Sequence, residues 1–356
     1  MEFKNLQLED VIVLEDKKRK PLSTMDRSKR KGIYPYYGAQ EIIDSIDDYI
    51  FDGKYILLAE DGENLKSRKK DLVKIVEGKF WLNNHAHIFK VKENVDLEYL
   101  YYYLLKLDLG EYITGSTQPK LNQENMNKIK IKLPELKIQR KISKILSNID
   151  GKIKLNNEIN NNLYEEAVAL YKDKFKGIGQ GKKTIGDYIV PKRGKNLLTR
   201  DAIDGDTPVV AGGIAPSAYH NQFNTKSPVI TISASGANAG YTNLWNIPVW
   251  ASDCSYIDDS ITKNVYFWYI VLKSRQNEIF DAQTGSAQPH IYPQHIAEMS
   301  IGELNIAEVE KYNNLVEPLF KMIGENQKEN KKLSQLRDIL LPKLMNGEID
   351  LDNIEI

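Results

Sequence analysis

The sequence predicts an α+β protein: two tandem-repeat, mixed but mainly β domains separated by two long antiparallel helices that form a coiled coil. Three observations lead there. The chain repeats itself, the first part of each repeat is a series of short β-branched runs, and the second carries a long apolar stripe at helical spacing. The length agrees, because 356 residues exceed one ordinary domain.

The repeat rests on four matches in one order. Gly115-Ser116-Thr117-Gln118-Pro119 recurs as Gly285-Ser286-Ala287-Gln288-Pro289. Upstream, Phe80-Trp81-Leu82-Asn83-Asn84-His85 answers Val249-Trp250-Ala251-Ser252-Asp253-Cys254. Tyr55–Leu58, with Gly62 and Asn64, answers Val229–Ile232, with Gly236 and Asn238. Leu8, Asp10, Ile12 and Val13 answer Ile185, Asp187, Ile189 and Val190. Chance supplies one such match; four in sequence mark a duplication.

Runs such as Lys54–Ala59, His87–Val91, Lys128–Leu133, Pro228–Ser233 and Cys254–Ile257, broken by Gly, Pro, Asn and Asp, read as short strands. Leu97–Leu107 and Val265–Arg275 are more helical in spacing. Ile142, Ile145, Ile149, Ile153, Ile159, Leu163 and Leu170 then follow a three-to-four spacing. Tyr312, Leu315, Leu319, Ile323, Leu333 and Leu340 do the same in the second repeat. These stripes place long helices at about 138–176 and 309–346, with Pro318 inside the second. The seam is expected at Ile142, Ile149, Ile153, Leu163, Leu319, Ile323, Leu333 and Leu340. Asn156 and Asn160 answer Asn326 and Asn330; they either fix register within the seam or lie on its solvated side. The β-rich domains thus span 1–135 and 182–308. Residues 136–181 hold the first long helix and a Gly-rich linker, and 309–356 the second helix and C-terminal tail. Because the linker at Gly177–Lys183 leads into the second repeat, the helices lie antiparallel if the domains occupy opposite ends.

Composition narrows the function. Apolar residues make up 41% and charged residues 28%, which excludes wholesale disorder. Basic and acidic residues number 49 each, so the chain lacks the basic excess of many nucleic-acid binders, although a neutral total is compatible with a polarised surface. One cysteine, Cys254, excludes a disulfide framework and a thiolate-rich zinc site. No apolar run approaches the ~20 residues of a membrane span, and MEFKNLQLED has no apolar leader core. These features point to a cytoplasmic protein.

Catalytic signatures are weak. Asp61, Glu77 and Lys79 imitate the D…E-x-K spacing of metal-dependent nucleases, but Ser235 stands where Asp61 falls in the other repeat. His85 and His87 lack a third metal ligand, and Cys254 and Tyr256 are their counterparts. Gly177-Ile178-Gly179-Gln180-Gly181-Lys182-Lys183 follows a helix and lacks the P-loop spacing. The sequence contains no G-x-S-x-G elbow, HExxH or strand-anchored G-x-G-x-x-G.

A binding surface fits better. Arg27, Lys29, Arg30 and Lys31 form a basic loop before Tyr34, Tyr36 and Tyr37, and Lys66, Arg68, Lys69 and Lys70 form another. Lys192, Arg193, Lys195, Asn196 and Arg200 take the position of the first cluster in the second repeat. Such cations neutralise phosphates, while Arg, Asn and Gln read base edges. Gln118, Lys120 and Gln288 lie at the matched Gly-Ser-x-Gln-Pro turns, and Asn84, Asn238 and His290 complete the DNA-contact candidates. The competing reading of each charge run is a solvated loop. Asp44–Asp48 and Asp201–Asp206 explain the neutral total and are expected to face away from DNA.

At this point the pattern resembles the specificity subunits of type I restriction–modification systems, over essentially the whole chain. The carriers are the two β-rich domains, each with its Trp81 or Trp250 segment, its Gly-Ser-x-Gln-Pro loop and its terminal helix. The stretch from Ile131-Lys132-Leu133-Pro134 to Gln139-Arg140-Lys141-Ile142 resembles that family's approach to its first conserved helix, and Ile339–Ile349 its exit from the second. Gly302-Glu303-Leu304-Asn305 departs from the pattern, lacking the Pro and the Gln-Arg. The resemblance implies a non-catalytic reader of double-stranded DNA whose two target-recognition domains each bind half of a bipartite, asymmetric site. It implies helices that act as a spacer and dock two adenine-methylating subunits. S-adenosylmethionine would belong to those subunits, and ATP and Mg to motor–nuclease subunits where present. The competing classes are a nuclease around Asp61, Glu77 and Lys79 and a coiled-coil adaptor; the adaptor has no use for two Tyr/Asn/Lys-rich β domains with diverging loops.

Overall fold

The computed structural model describes residues 2–39, 41–115, 118–285 and 288–351. The chain divides into two compact units, residues 1–152 with 332–356, and residues 153–331.

In the first unit a six-stranded sheet runs in the order Ile12–Leu14, Ala86–Val91, Phe51–Ala59, Val73–Leu82, Lys31–Tyr37, Ile42–Ile46. Most pairs are antiparallel; Tyr36 and Tyr37 run parallel to Trp81 and Leu82. A separate ribbon joins Lys4–Gln7 to Lys130–Leu133. Helix Leu97–Lys106, capped by Asp96 accepting from the Tyr99 amide (2.9 Å), buries Tyr99, Leu100 and Leu104 against Ile56, Leu58 and Phe89. The start of the first long helix adds Ile142 and Leu146 to the same core.

The second unit repeats this plan. Lys192–Arg193, Cys254–Asp258, Val229–Ser233 and Thr242–Trp245 form one sheet; Ala218–His220, Thr207–Val210 and Trp250–Ala251 form another. The single strand Val73–Leu82 of the first unit is matched here by two pieces, because Pro248 removes a ladder donor between them. Its core is aromatic: Phe175, Phe267 and Tyr312 interlock, and Tyr266 stacks on Phe320 at 4.9 Å.

The long helices are Leu136–Lys174 and Ile306–Met345, of 39 and 40 residues. The second begins three residues earlier than the stripe predicts, because the Asn305 side chain accepts from the Ala307 amide at 3.1 Å and caps it. Pro318 lies inside without ending it. Within the first unit Asp150 accepts from Arg337 (2.8 Å) and Lys141 donates to the Leu351 carbonyl (2.7 Å). Within the second, Asn326 donates to Asn160 (2.8 Å) and Tyr312 to the Ala167 carbonyl (2.8 Å). In both units one number rises as the other falls, so the helical segments pair antiparallel.

The seam is partly as predicted. Ile142, Ile149 and Ile323 are buried; Ile153, Leu163, Leu319, Leu333 and Leu340 are half-buried at its margins. Leu315 is 49% exposed; the second helix buries Tyr312, as its stripe predicts, and then Val316 and Phe320 at four-residue steps. A three-to-four pattern does not settle which of two adjacent apolar residues faces inward when both Leu315 and Val316, or Leu319 and Phe320, qualify. The asparagines are inside the seam. Asn156, 1% exposed, donates to Asn330 (2.9 Å) and Glu329 (2.7 Å), and Asn330 donates to Asn157 (2.9 Å). Their pairing across the helices is the register-fixing arrangement.

Candidate nucleic-acid interface

Each unit presents the same backbone frame at one end of its sheet. Thr114 and Lys120 exchange amide–carbonyl bonds, both 2.8 Å, and close a loop of five residues; Thr284 and His290 do likewise at 3.0 and 2.8 Å. These are the Gly-Ser-x-Gln-Pro segments, of which Ser116, Thr117, Ser286 and Ala287 lie outside the described residues. Glycine is required at the first position: φ is +85° at Gly115 and +93° at Gly285, and a Cβ would stand 2.2 or 2.5 Å from the carbonyl of Gln118 or Gln288. Pro119 and Pro289 carbonyls accept from the Gly62 and Gly236 amides at 3.2 and 3.1 Å, tying each loop to a second turn. A third segment joins through Glu60 N to His85 O (3.0 Å), matched by Ala234 N to Asp253 O (3.1 Å).

These bonds correct the alignment of the repeats. Ala86 pairs with Ala59 as Cys254 pairs with Ser233. His85 therefore corresponds to Asp253 and His87 to Ser255, one residue from the counterparts read in the sequence. The tryptophans correct a second correspondence. The Trp81 indole donates to the Lys20 carbonyl (2.6 Å) and the Trp250 indole to the Lys195 carbonyl (2.8 Å). Lys192–Lys195 thus corresponds to the segment around Arg19 and Lys20, not to Arg27–Lys31.

The basic loop Arg27–Lys31 is largely consumed by structure. Arg27 donates to the Leu22 carbonyl (2.7 Å), pairs with Asp44 (3.3 Å) and lies 5.1 Å from the Tyr36 ring centre. Arg30 pairs with Asp47 (2.9 Å) above Trp81, and Lys31 with Asp44 (2.6 Å). Lys31, with the Ser45 amide and Arg27, holds the Asp44 carboxyl below the usual carboxylate range. Asp44–Asp48 therefore faces this basic cluster. Tyr36 is 1% exposed, its hydroxyl accepting from the Leu22 amide at 2.9 Å, so it offers no ring to a base. Lys29 is exposed at the end of the turn Thr24–Ser28.

Lys66, Arg68 and Lys69 are exposed; Arg68 ends a helical turn in left-handed conformation (φ +51°) and donates to the Leu107 carbonyl at 2.9 Å. Gln118 and Gln288 are exposed at the loop tips and Asn84 at the neighbouring strand end. Lys120 pairs with Glu60 at 3.3 Å. In the second unit Lys192, Lys195, Asn196 and Arg200 are exposed, and Asn238 is half-buried in the turn Gly236–Gly240. Arg193 pairs with Asp253 (2.5 Å), and the His290 ring stacks on Tyr292 at 6.0 Å. The frame brings Asn84, Gln118 and Lys120 together in one unit, and Arg193, Gln288 and His290 in the other.

Sequence reading missed the charges beneath the first frame. Asp16 accepts from the Ile88 amide (2.8 Å) and contacts His87 Nδ1 (2.6 Å), whose Nε2 meets the Leu121 carbonyl (2.8 Å). Arg19 bridges Asp16 (3.2 Å) and Glu60 (2.7 Å). Ligand atoms of Asp16, Glu60 and His87 lie within 4.8 Å of one another, but Arg19 occupies both carboxylates and both imidazole nitrogens are engaged, so the cluster is already satisfied as an ion network. The only sequence signal was one more arginine in the charge run Glu15–Lys20. The nuclease constellation does not assemble. Asp61 binds His85 at 2.9 Å, whereas Lys79 sits opposite Asp52 at the other end of the hairpin, over the Tyr49 ring. Asp52 and Ala59 alone are roughly 23 Å apart at strand rise. Burial pushes the Cys254 thiol up to about 12, which keeps it unreactive. No helix among the described residues is long and apolar enough to cross a membrane.

Residues 1–165 match the family model of the type I restriction modification DNA specificity domain. A putative type I restriction enzyme specificity subunit of Haemophilus influenzae is 28% identical over 304 residues, covering 75% of this chain and 76% of the relative. The MjaIX specificity subunit of Methanocaldococcus jannaschii is 27% identical over 308 residues, covering 74% and 71%. The crystal structure of a type I system S subunit from M. genitalium shares the fold, with a TM-score of 0.65 over 97% of this chain and 96% of that one at 18% identity. Residues 1–165 thus carry the type I restriction modification DNA specificity domain, and the chain is similar over about three quarters of its length to type I specificity subunits.

Proposed function

We propose that this chain is the non-catalytic DNA-recognition subunit of a type I complex and that each unit reads one half of a bipartite, asymmetric target. The observation that carries this reading is the duplicated frame. Two loops with the same backbone bonds present different side chains, Lys120 in one and His290 in the other, as two readers of unlike sequences require. The long helices act as spacer and as docking site for two methyltransferase subunits, with restriction subunits joining where present. S-adenosylmethionine is held by the methyltransferase, and ATP and Mg by the restriction partner.

The exposed amides Gln118 and Gln288 test the reading. In the complex with methyltransferase subunits, Gln118→Ala should cost about tenfold or more in discrimination at one half-site, and Gln288→Ala at the other. Methylome sequencing reads both. Unchanged targets in both variants would remove these loops from base recognition.

A further inference from the structure

We propose that Arg19 is a positioning residue for the first DNA-reading loop, with Arg193 as its weaker counterpart in the second; this rests on the reading above. Apart from its neighbour Asp16, Arg19 joins segments more than forty residues away. Its guanidinium donates to the carboxylate of Glu60 (2.7 Å), to the carbonyls of Ala86 (2.7 Å) and Asn84 (3.5 Å), and pairs with Asp16 (3.2 Å). Its Nε also donates to the Asp16 carbonyl at 3.1 Å.

Glu60 passes this restraint to the loop. Its carbonyl accepts from the Leu121 amide (2.8 Å), its amide donates to the His85 carbonyl (3.0 Å), and its carboxylate holds the Lys120 ammonium (3.3 Å). One planar side chain therefore holds the strand end carrying Asn84 and, through Glu60, the base of the loop carrying Gln118. A guanidinium does this because its donors diverge in one plane; an ammonium cannot satisfy the same acceptors at once. The side chain of Arg19 is only 14% exposed, so it cannot itself reach across to a base.

The second unit makes a shorter chain of the same kind. Arg193 holds Asp253 (2.5 Å), Asp253 accepts from the Ser235 hydroxyl, and Ser235 forms a bridge to His290 at the loop base. Arg193 makes one ion pair where Arg19 makes two, and it is 41% exposed, so solvent weakens its hold. The arginines thus act through the loops, and the loops act on DNA.

The test uses the full chain in complex with its methyltransferase subunits and reads hydrogen exchange beside the methylome. Arg19→Gln should speed exchange of the Thr114 and Lys120 amides about tenfold, leave the amides of Ile56 and Leu58 protected, and render one half of the target degenerate. Arg19→Lys should restore part of both, and Arg193→Gln should affect only the other half, and less. A merely structural role would instead lower protection throughout the unit and weaken binding to all DNA alike. Should Arg19→Gln fail to fold, Glu60→Gln decides, because it keeps the backbone bonds and removes only the charge that links Arg19 to Lys120. Unchanged exchange at Thr114 and Lys120 in a folded variant overturns the proposal, as does a loosened loop that still reads both half-sites. A wild-type complex that methylates without a bipartite target would instead overturn the recognition reading itself, and that arm needs no variant.

Discussion

The two units close their reading loops with the same backbone bonds but rest them on different chemistry, an ion network in the first and one ion pair beside small residues in the second. Under the first loop lie Asp16, Arg19, Glu60 and His87, four charged or ionisable groups that satisfy one another. Under the second, Ala234 replaces Glu60 and Ser255 replaces His87. The Ser255 hydroxyl is buried without a hydrogen-bond partner among the described residues. The difference teaches that the amide–carbonyl frame defines the loop, while the material beneath it is exchangeable between an ion network and small, nearly apolar residues. That agrees with the small net contribution of buried ion pairs relative to well-packed neutral groups, and with the large cost of removing only one member.

Three variants and one measurement on the unaltered chain break or sharpen this contrast. The largest effect is expected from Asp16→Ala, which removes a partner from Arg19, His87 and the Ile88 amide at once and leaves Arg19 only Glu60 as an ion-pair partner. Denaturant unfolding should show a loss of about 3 kcal/mol or more. Replacing Glu60 and His87 together by the second unit's Ala and Ser leaves Asp16 and Arg19 paired, and should cost less, about 1–2 kcal/mol. If the double variant costs more than Asp16→Ala, the two floors are not interchangeable. Ser255→Ala removes an unsatisfied hydroxyl and should be neutral or slightly stabilising, within about 0.5 kcal/mol. The smallest effect concerns Cys254, whose thiol burial pushes up to about 12 from 9.0. Below pH 9 both folded and unfolded thiols keep their proton, so the group contributes no pH dependence there. Above it the unfolded chain loses the proton first, and stability falls as pH rises toward 12. At pH 8 the native thiol should resist alkylation that the unfolded chain undergoes, measured by mass spectrometry.

Much of the fold was legible in the sequence because duplication and periodicity are strong signals. The strands Phe51–Ala59 and Val229–Ser233 and both long helices appear where the β-branched runs and apolar stripes place them. The candidate site was less legible, for three physical reasons. A charge run reads the same whether its groups meet solvent or one another, so Arg27 and Arg30 looked available although Asp44 and Asp47 hold them. One extra residue before His85 shifts the repeats out of step, which only strand pairing reveals. Arg19 gains its meaning from Glu60 and Ala86, contacts across more than forty residues that no local pattern encodes.

The central claim is that each duplicated frame reads its own half of the target. The most direct measurement is the methylome of a chimera in which residues 182–308 are replaced by the equivalent region of a relative with a different target, assembled with the same methyltransferase. One half-site should change to the relative's and the other should remain as in the parent. A chimera that folds and methylates, yet changes both halves or neither, would contradict the account.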